Sequence, residues 1–294
     1  MTTFRNLQDE VLQYLYGYGL AQPRATRLAA DIDGVVASIT VSSAADLEQG
    51  LAELDSELIF IESVDRGSNI AIVIRGYYGT TAAAHTSGAI LTMAPTWPRT
   101  RVASAINDTI LALYPTLFGV AQTQFTFVPA VTTYSIPAEA EKVLRVTADL
   151  NGPSREQQII RRYSFDSVAP TDEWATTNSI TLMESATPGK TVTVTYLRSL
   201  TALVNDSDAL TTSGLRETAK LAVVYGTCAQ LLAFMDVSRL PVDTAQADEY
   251  DSKNQIGRAS QLSGQLQLRY DLEVERERKR LRANTPVAIT MRNR

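Results

Sequence analysis

His85 is the only histidine and Cys228 the only cysteine in the 294 residues, so the chain offers one imidazole and one thiol to any chemistry that needs them. A single histidine removes two-histidine metal sites and leaves one candidate base for a Ser-His or Cys-His arrangement. It sits in GTTAAAHTSG, a run of small residues that reads as a loop, and an exposed or turn-stabilising role is the expectation. Cys228 lies in an apolar stretch of helical period and reads as a buried, inert thiol. A lone cysteine also excludes an internal disulfide and a cysteine-based zinc cage. Asp166, Asp172 and Glu173, or Asp206 and Asp208, are close enough in sequence to pair for acid–base work or to hold calcium, yet none matches a defined loop. Asp31-Ile-Asp-Gly34 begins like a calcium loop, lacks the remaining ligands, and reads as a turn before a strand. Neither a Walker-type GxxxxGK sequence nor GxGxxG occurs. No catalytic, cofactor-binding or metal-binding residue is assigned, and neither cofactor nor enzymatic activity is expected.

The remaining chemistry is charge. Between Glu273 and Arg294, Arg276, Arg278, Lys279, Arg280, Arg282, Arg292 and Arg294 stand against Glu273, Glu275 and Glu277. That local excess of +4 in a chain of formal charge -5 leaves -9 on the rest. The asymmetry suits a C-terminus that meets an acidic surface or phosphate. The plain alternative is a solvated helix end, where cations gain ~0.3–1 kcal/mol from the macrodipole. Pro286–Met291 follows the charges and is apolar and β-prone. With Val287, Ile289 and Met291 it fits strand or groove docking on a partner. An acidic total, with pI near 5.1, argues against a general nucleic-acid-coating surface.

These residues need elements to hold them. The centre is Ser213–Met235, SGLRETAKLAVVYGTCAQLLAFM, which is apolar on two helix faces at once and so reads as a buried helix. Ala219, Ala222, Gly226, Ala229 and Ala233 form a small-residue seam, while Leu221, Val224, Tyr225, Cys228 and Leu232 form a bulky face. Its partners are three. Phe4, Leu7, Val11, Tyr14 and Leu15 predict an amphipathic helix over residues 3–16. Val102, Ile106, Ile110 and Leu113 give a second stripe, opened by Pro98 and ended by Pro115. A long pattern from Thr244 to about Arg282 carries Ile256, Leu262, Leu266, Tyr270, Val274 and Leu281, and as one helix would span roughly 58 Å at 1.5 Å per residue.

Two β-rich stretches interrupt these helices. The runs VVASITVS, LIFIESV, IAIVIRGYY and AILTMAP, punctuated by glycine, read as a β insertion, with Asp65–Asn69 as a hairpin turn. Six later runs, ending in TVTVTYL with Val192, Val194 and Tyr196 on one side, suggest a small sandwich or barrel. The expected fold class is therefore α+β: a helical bundle of about four helices with a long C-terminal helix, interrupted by two β modules. Residues 1–30, 94–122 and 201–294 form the helical framework with its docking tail, residues 31–93 the insertion, and residues 123–200 the sandwich-like module. The most apolar run, Leu221–Met235, falls short of the ~20 residues needed to cross a bilayer, so no membrane association is expected. The mixed polarity of the first 13 residues shows no targeting segment.

RGYYGTTAAAHTSGA, with Arg75, His85 and Gly88, resembles a loop common in virion proteins of tailed bacteriophages. WPRTRVASAINDTILALYPTLF, then a β-sandwich, an alanine-rich helix and a long charged helix, resembles the head-to-tail adaptor, or neck, proteins of those phages. The resemblance covers most of residues 65–294. It implies a non-enzymatic virion protein serving genome packaging and ejection, present in the host cytoplasm during assembly. Such a protein forms a homo-oligomeric ring, commonly of twelve copies, beneath the portal protein and against a tail terminator or stopper protein. DNA passes through its lumen without sequence-specific binding. By position in the chain, the resemblance makes Arg276–Arg282 and Thr285–Arg294 portal-docking residues. A tail or baseplate protein whose β module contacts a ligand or host surface is the alternative.

Overall fold

The structure, a computed structural model, describes residues 1–16, 24–150, 157–237 and 258–285. It is a mixed α+β protein with four α-helices and thirteen strands among those residues. The chain divides into two compact units, one of residues 5–107 and 224–266, the other of residues 1–4, 108–223 and 267–294.

In the first unit, α1 (Phe4–Tyr16) buries Leu7 and Val11 on the face that the spacing predicts. It lies beside α3 (Lys220–Val237): the Tyr14 and Tyr225 rings meet edge-on at 5.7 Å, and the Cys228 thiol is 3.9 Å from the Val11 carbonyl. A six-stranded antiparallel sheet follows, from β1 (Ala25–Arg27), β2 (Ser38–Thr40), β3 (Gly50–Leu54), β4 (Glu57–Asp65), β5 (Ile70–Ile74) and β6 (Ile90–Met93). Its spatial order is β1-β6-β3-β4-β5-β2. The sheet curls into a half-barrel whose end strands meet. Leu28 bridges Val41, Ala29 N–H donates to Thr40 O, and Ser42 N–H donates to Arg27 O. Ile39, Leu54, Ile59, Ile61, Val73 and Leu91 fill the inside.

The β4–β5 turn forms where Asp65–Asn69 predicts it. Asn69 takes a φ of 57°, and the Asp65 carboxylate accepts from Gly67 N–H and Ser68 Oγ. Strands β1 and β3 are not among the runs read from the sequence, because ATR has no large apolar residue and GLAEL carries a charge at Glu53. The helix α2 (Arg99–Ala112) buries the predicted Val102, Ile106 and Ile110 stripe, with Leu113 just past its end.

The second unit is a two-sheet sandwich. β7 (Gly119–Thr126), β8 (Thr133–Ser135), β9 (Lys142–Asp149), β10 (Gln157–Ile160), β11 (Tyr163–Asp166), β12 (Ser179–Leu182) and β13 (Thr191–Arg198) form two antiparallel sheets. Their orders are β10-β9-β13-β7 and β11-β12-β8. Residues of both sheets share one core, including Val146, Ile160, Ile180, Leu182, Val192, Val194 and Tyr196. The Asn178 amide fastens the loop beside it, donating to the carbonyls of Pro137, Ala138 and Ala140.

Helix α3 starts later than the periodicity implies. Residues 210–219 form two short 3-10 turns, separated by Gly214 at φ 97° and an extended Arg216. Gly214 is required there because a Cβ would lie 3.2 Å from the Cα of Gly119. Beyond that start, α3 is buried as expected: Ala222, Val223, Val224, Thr227, Cys228, Ala229 and Leu231 are all within the interior. The fourth helix, α4 (Arg258–Asn284), has 27 residues, about 40 Å at 1.5 Å each. Residues 244–257 of the longer predicted helix lie outside the described residues, as does the Pro286–Arg294 tail. Ser263 Oγ of α4 donates to Ala229 O, which sets its first turns against the small-residue seam.

Candidate functional site

The loop after β5 brings Arg75 and His85 to a buried carboxylate on β4. Glu57 opens β4, and its side chain is 2% exposed. Arg75 grips it with two parallel bonds, Nε to Oε1 and Nη2 to Oε2, each 2.7 Å. The same guanidinium donates to the carbonyls of Asp33, Val36 and Ala83, so one side chain ties β4 to two loops. Of the two roles expected for His85, exposed or turn-stabilising, the exposed one is excluded: the side chain is buried. Its Nδ1 lies 2.9 Å from Asp55 Oδ2 and its Nε2 lies 2.9 Å from Glu57 Oε2. Burial alone would raise the Glu57 carboxyl. Arg75, His85 and the N–H groups of Gly76 and Ala83 outweigh it and hold the carboxyl at about 2. Gly76 takes a φ of 61°, and a Cβ there would come within 2.9 Å of Thr80 O.

The RGYYGT signature is thus a clasp. Arg75, Gly76 and His85 each have a geometric duty, as has Thr80, whose Oγ1 accepts from Leu58 N–H; of the carboxylates, Asp55 also borders a cavity. Sequence reading missed Asp55 and Glu57 because they stand 30 and 28 residues from their histidine. The one available signal was a charge at the head of the otherwise apolar ELIFI.

Several of the other carboxylates weighed for chemistry accept backbone hydrogen bonds. Asp33 accepts from Val35 N–H and Val36 N–H, and Asp31 accepts from Ser87 N–H. Asp208 accepts from Val204 N–H and Asn205 N–H, and Asp166 from Val168 N–H. Among the described residues no group of His, Cys, Asp and Glu could hold a metal ion. Glu53 is different. It accepts from Arg99 N–H at the head of α2 at 2.5 Å, and burial raises its carboxyl to about 7 against the lowering influence of Arg99. It lines a cavity of about 260 Å³ with Arg5, Tyr16, Asp55, Trp97 and Arg99. Cys228 is buried, and burial pushes its thiol up to about 12, which suits an inert core residue.

At the C-terminal end, the predicted docking cations of α4 are largely matched within their own helix. Arg276 pairs with Glu273, Arg278 with Glu275, and Arg280 with Glu277, each three residues back, while Lys279 lies 4.0 Å from Glu275. Such pairs each stabilise a helix by about 0.2–0.5 kcal/mol. Arg282, in the last turn, has no carboxylate partner among the described residues. Val287, Ile289, Met291, Arg292 and Arg294 lie outside the described residues. Glu277 is buried and also accepts from Thr218 Oγ1 at 2.7 Å. Beside it, Leu117, Phe118, Val120, Arg216 and Leu281 line a cavity of about 280 Å³. Leu262, Leu268 and Leu272 on α4 stay 46%, 67% and 63% exposed, so part of its apolar surface has no cover among the described residues.

A family model described as SU10 adaptor protein matches residues 74–286, well over half of the chain. The chain belongs to the SU10 adaptor protein family. The match takes in the Arg75–His85 clasp, β6, α2, the sandwich, α3 and all of α4. Strands β1 to β4 of the half-barrel precede it. No protein with a curated description matches the sequence significantly. Membership makes this a phage adaptor with a structural role between head and tail. No helix among the described residues is long and apolar enough to cross a membrane.

Proposed function

We propose that this SU10 adaptor family member forms a ring beneath the portal protein, joins the DNA-filled head to the tail, and lines the passage through which DNA moves. The family match over residues 74–286 carries this reading. Two features support it. Helix α4 leaves Leu268 and Leu272 uncovered, as expected of a helix that meets other chains. The chain outside Glu273–Arg294 carries a formal -9, which disfavours tight retention of phosphate in a lumen. On this reading the ring holds twelve copies and abuts a tail terminator or stopper protein, and its place is the head–tail connector of the virion.

Arg276, Arg278, Lys279, Arg280 and Arg282, with Val287, Ile289, Met291, Arg292 and Arg294 beyond them, are the proposed portal-docking residues. The intrahelical pairs shift the weight within that set. Arg282 and the residues after it are better placed to meet an acidic portal surface than Arg276, Arg278 or Arg280.

Cosedimentation with portal-bearing capsids tests the proposal. The intact chain is expected to travel with the capsids, and its failure to do so would remove the adaptor position beneath the portal. Deleting residues 285–294 is expected to weaken that binding while leaving the melting temperature unchanged. Full portal affinity in the deletion variant would take the tail out of the docking site.

A further inference from the structure

Sheet edges are managed differently in the two halves of this protein. In the half-barrel the end strands β1 and β2 meet through the Leu28–Val41 bridge. In the smaller sandwich sheet the edges are short: β8 has three residues, and β11 has four and carries Asp166. The larger sandwich sheet is the exception. Its edge strand β7, GVAQTQFT, is eight residues long and has no charge, no proline and no bulge against β13. No described residue pairs with its free side. The opposite edge, β10, is QQII, also uncharged. Natural sheets usually protect a long edge by charge, proline or distortion. An edge left this plain is a template for another strand.

We infer that β7 of one copy pairs with β10 of the next, so that the four-stranded sheets of neighbouring copies run together around the ring. This rests on the ring reading above and names the surface that would build it. Three observations select β10 of a second copy as the occupant. First, the sheet has an even number of strands and every pairing in it is antiparallel. β7 and β10 therefore run in opposite directions, and copies related by rotation about an axis along the strands meet in an antiparallel ladder.

Second, the faces match. Val120, Gln122, Gln124 and Thr126 of β7 share the outer face with Thr195, Thr193, Thr147 and Ile159 through the cross-strand register. Ala121 and Phe125 turn to the core. A neighbouring copy presents the same alternation, so outer residues continue onto outer residues. Third, Val120 and Ile159 are exposed apolar residues, 40% and 49%, on that same face at opposite edges. Joining the edges sets Ile159 beside Gln124 of the neighbouring copy, in the same cross-strand row. A β7-to-β7 contact would be two-fold and would leave Ile159 and β10 open, so it builds a pair and no ring.

Cysteine cross-linking tests the inference. Native Cys228 is buried and does not compete. Thr126→Cys and Gln157→Cys, both at exposed positions and in one cross-strand row, are combined in one chain. Assembled necks carrying that chain are treated with a short bis-maleimide and run under denaturing conditions. A ladder of covalent species larger than dimers is expected from the double variant, and only single chains from either variant alone. Cross-linked dimers from Thr126→Cys alone would show a β7-to-β7 contact and overturn the inference. Intact rings that give no ladder would overturn it too, while leaving the ring reading in place. Necks whose measured mass holds only one copy would sink both.

Discussion

Replacing Arg75 by methionine keeps most of the stem and removes a guanidinium that makes five hydrogen bonds, two of them to the carboxylate of Glu57. Glu57 would remain almost wholly inside, left with His85 and the N–H groups of Gly76 and Ala83. Breaking a buried pair by removing one partner costs about 3–5 kcal/mol, because the cost of the stranded charge adds to the lost bonds. With ~2–4 °C per kcal/mol for a unit of this size, the melting transition of the half-barrel unit should fall by roughly 6–20 °C. Thermal unfolding followed by circular dichroism or calorimetry measures it.

The pH dependence gives a second, independent reading. The Glu57 carboxyl is depressed from its ordinary 4.5 to about 2 in the folded protein. Its contribution is therefore complete above about pH 4.5 and lost as pH falls through about 2. The gap between Arg75→Met and the parent should be widest near neutrality and narrow over that acid window. Adding Glu57→Gln to Arg75→Met should recover part of the loss, since no charge is then stranded. A loss under ~1 kcal/mol, or a double variant no better than the single, would show that the clasp is not an electrostatic one.

Three further outcomes can be measured simply. Cys228, its thiol pushed up to about 12 by burial, should ignore an aromatic disulfide reagent at pH 8 in the folded protein and react fully in denaturant; rapid native labelling would place it nearer the surface. Glu53→Gln should stabilise the protein above pH 7. Because burial raises the Glu53 carboxyl from 4.5 to about 7, the folded state holds its proton longer and stability falls as pH rises across that range; equal melting of parent and variant at pH 8 would contradict it. Gly214→Ala should cost about 1–3 kcal/mol, since alanine must adopt φ 97° and place its Cβ 3.2 Å from Gly119, and an unchanged urea midpoint would refute that strain.

The helices were legible wherever apolar residues kept a 3.6-residue period, as at Leu7 and Val11 or Val102, Ile106 and Ile110. The sandwich was legible from alternation, as at Val192, Val194 and Tyr196. What escaped was non-local. Strand β3 hides behind Glu53, which a periodicity reading takes for solvent-facing although α2 covers it. The start of α3 is moved by Gly214, whose reason is Gly119, far off in sequence. His85 looked like a loop residue because its two carboxylates come from the β3–β4 turn and β4. The basic end of α4 was visible as charge, but its arginines spend much of that charge on glutamates one turn away.

The meeting of β1 with β6 and β2 also bears on how this protein can be cut or recombined. The family match starts at residue 74, inside the last residue of β5, whereas β6 lies beyond it and takes both of its neighbours, β1 and β3, from before it. A fragment beginning at residue 74 would keep β6 with neither neighbour and would expose Leu91 and Met93. It would also lose Glu57 and leave Arg75 and His85 without their anion. The natural seam for exchange with a relative therefore falls near residue 24 or after residue 93, and chimaeras joined at residue 74 should be insoluble.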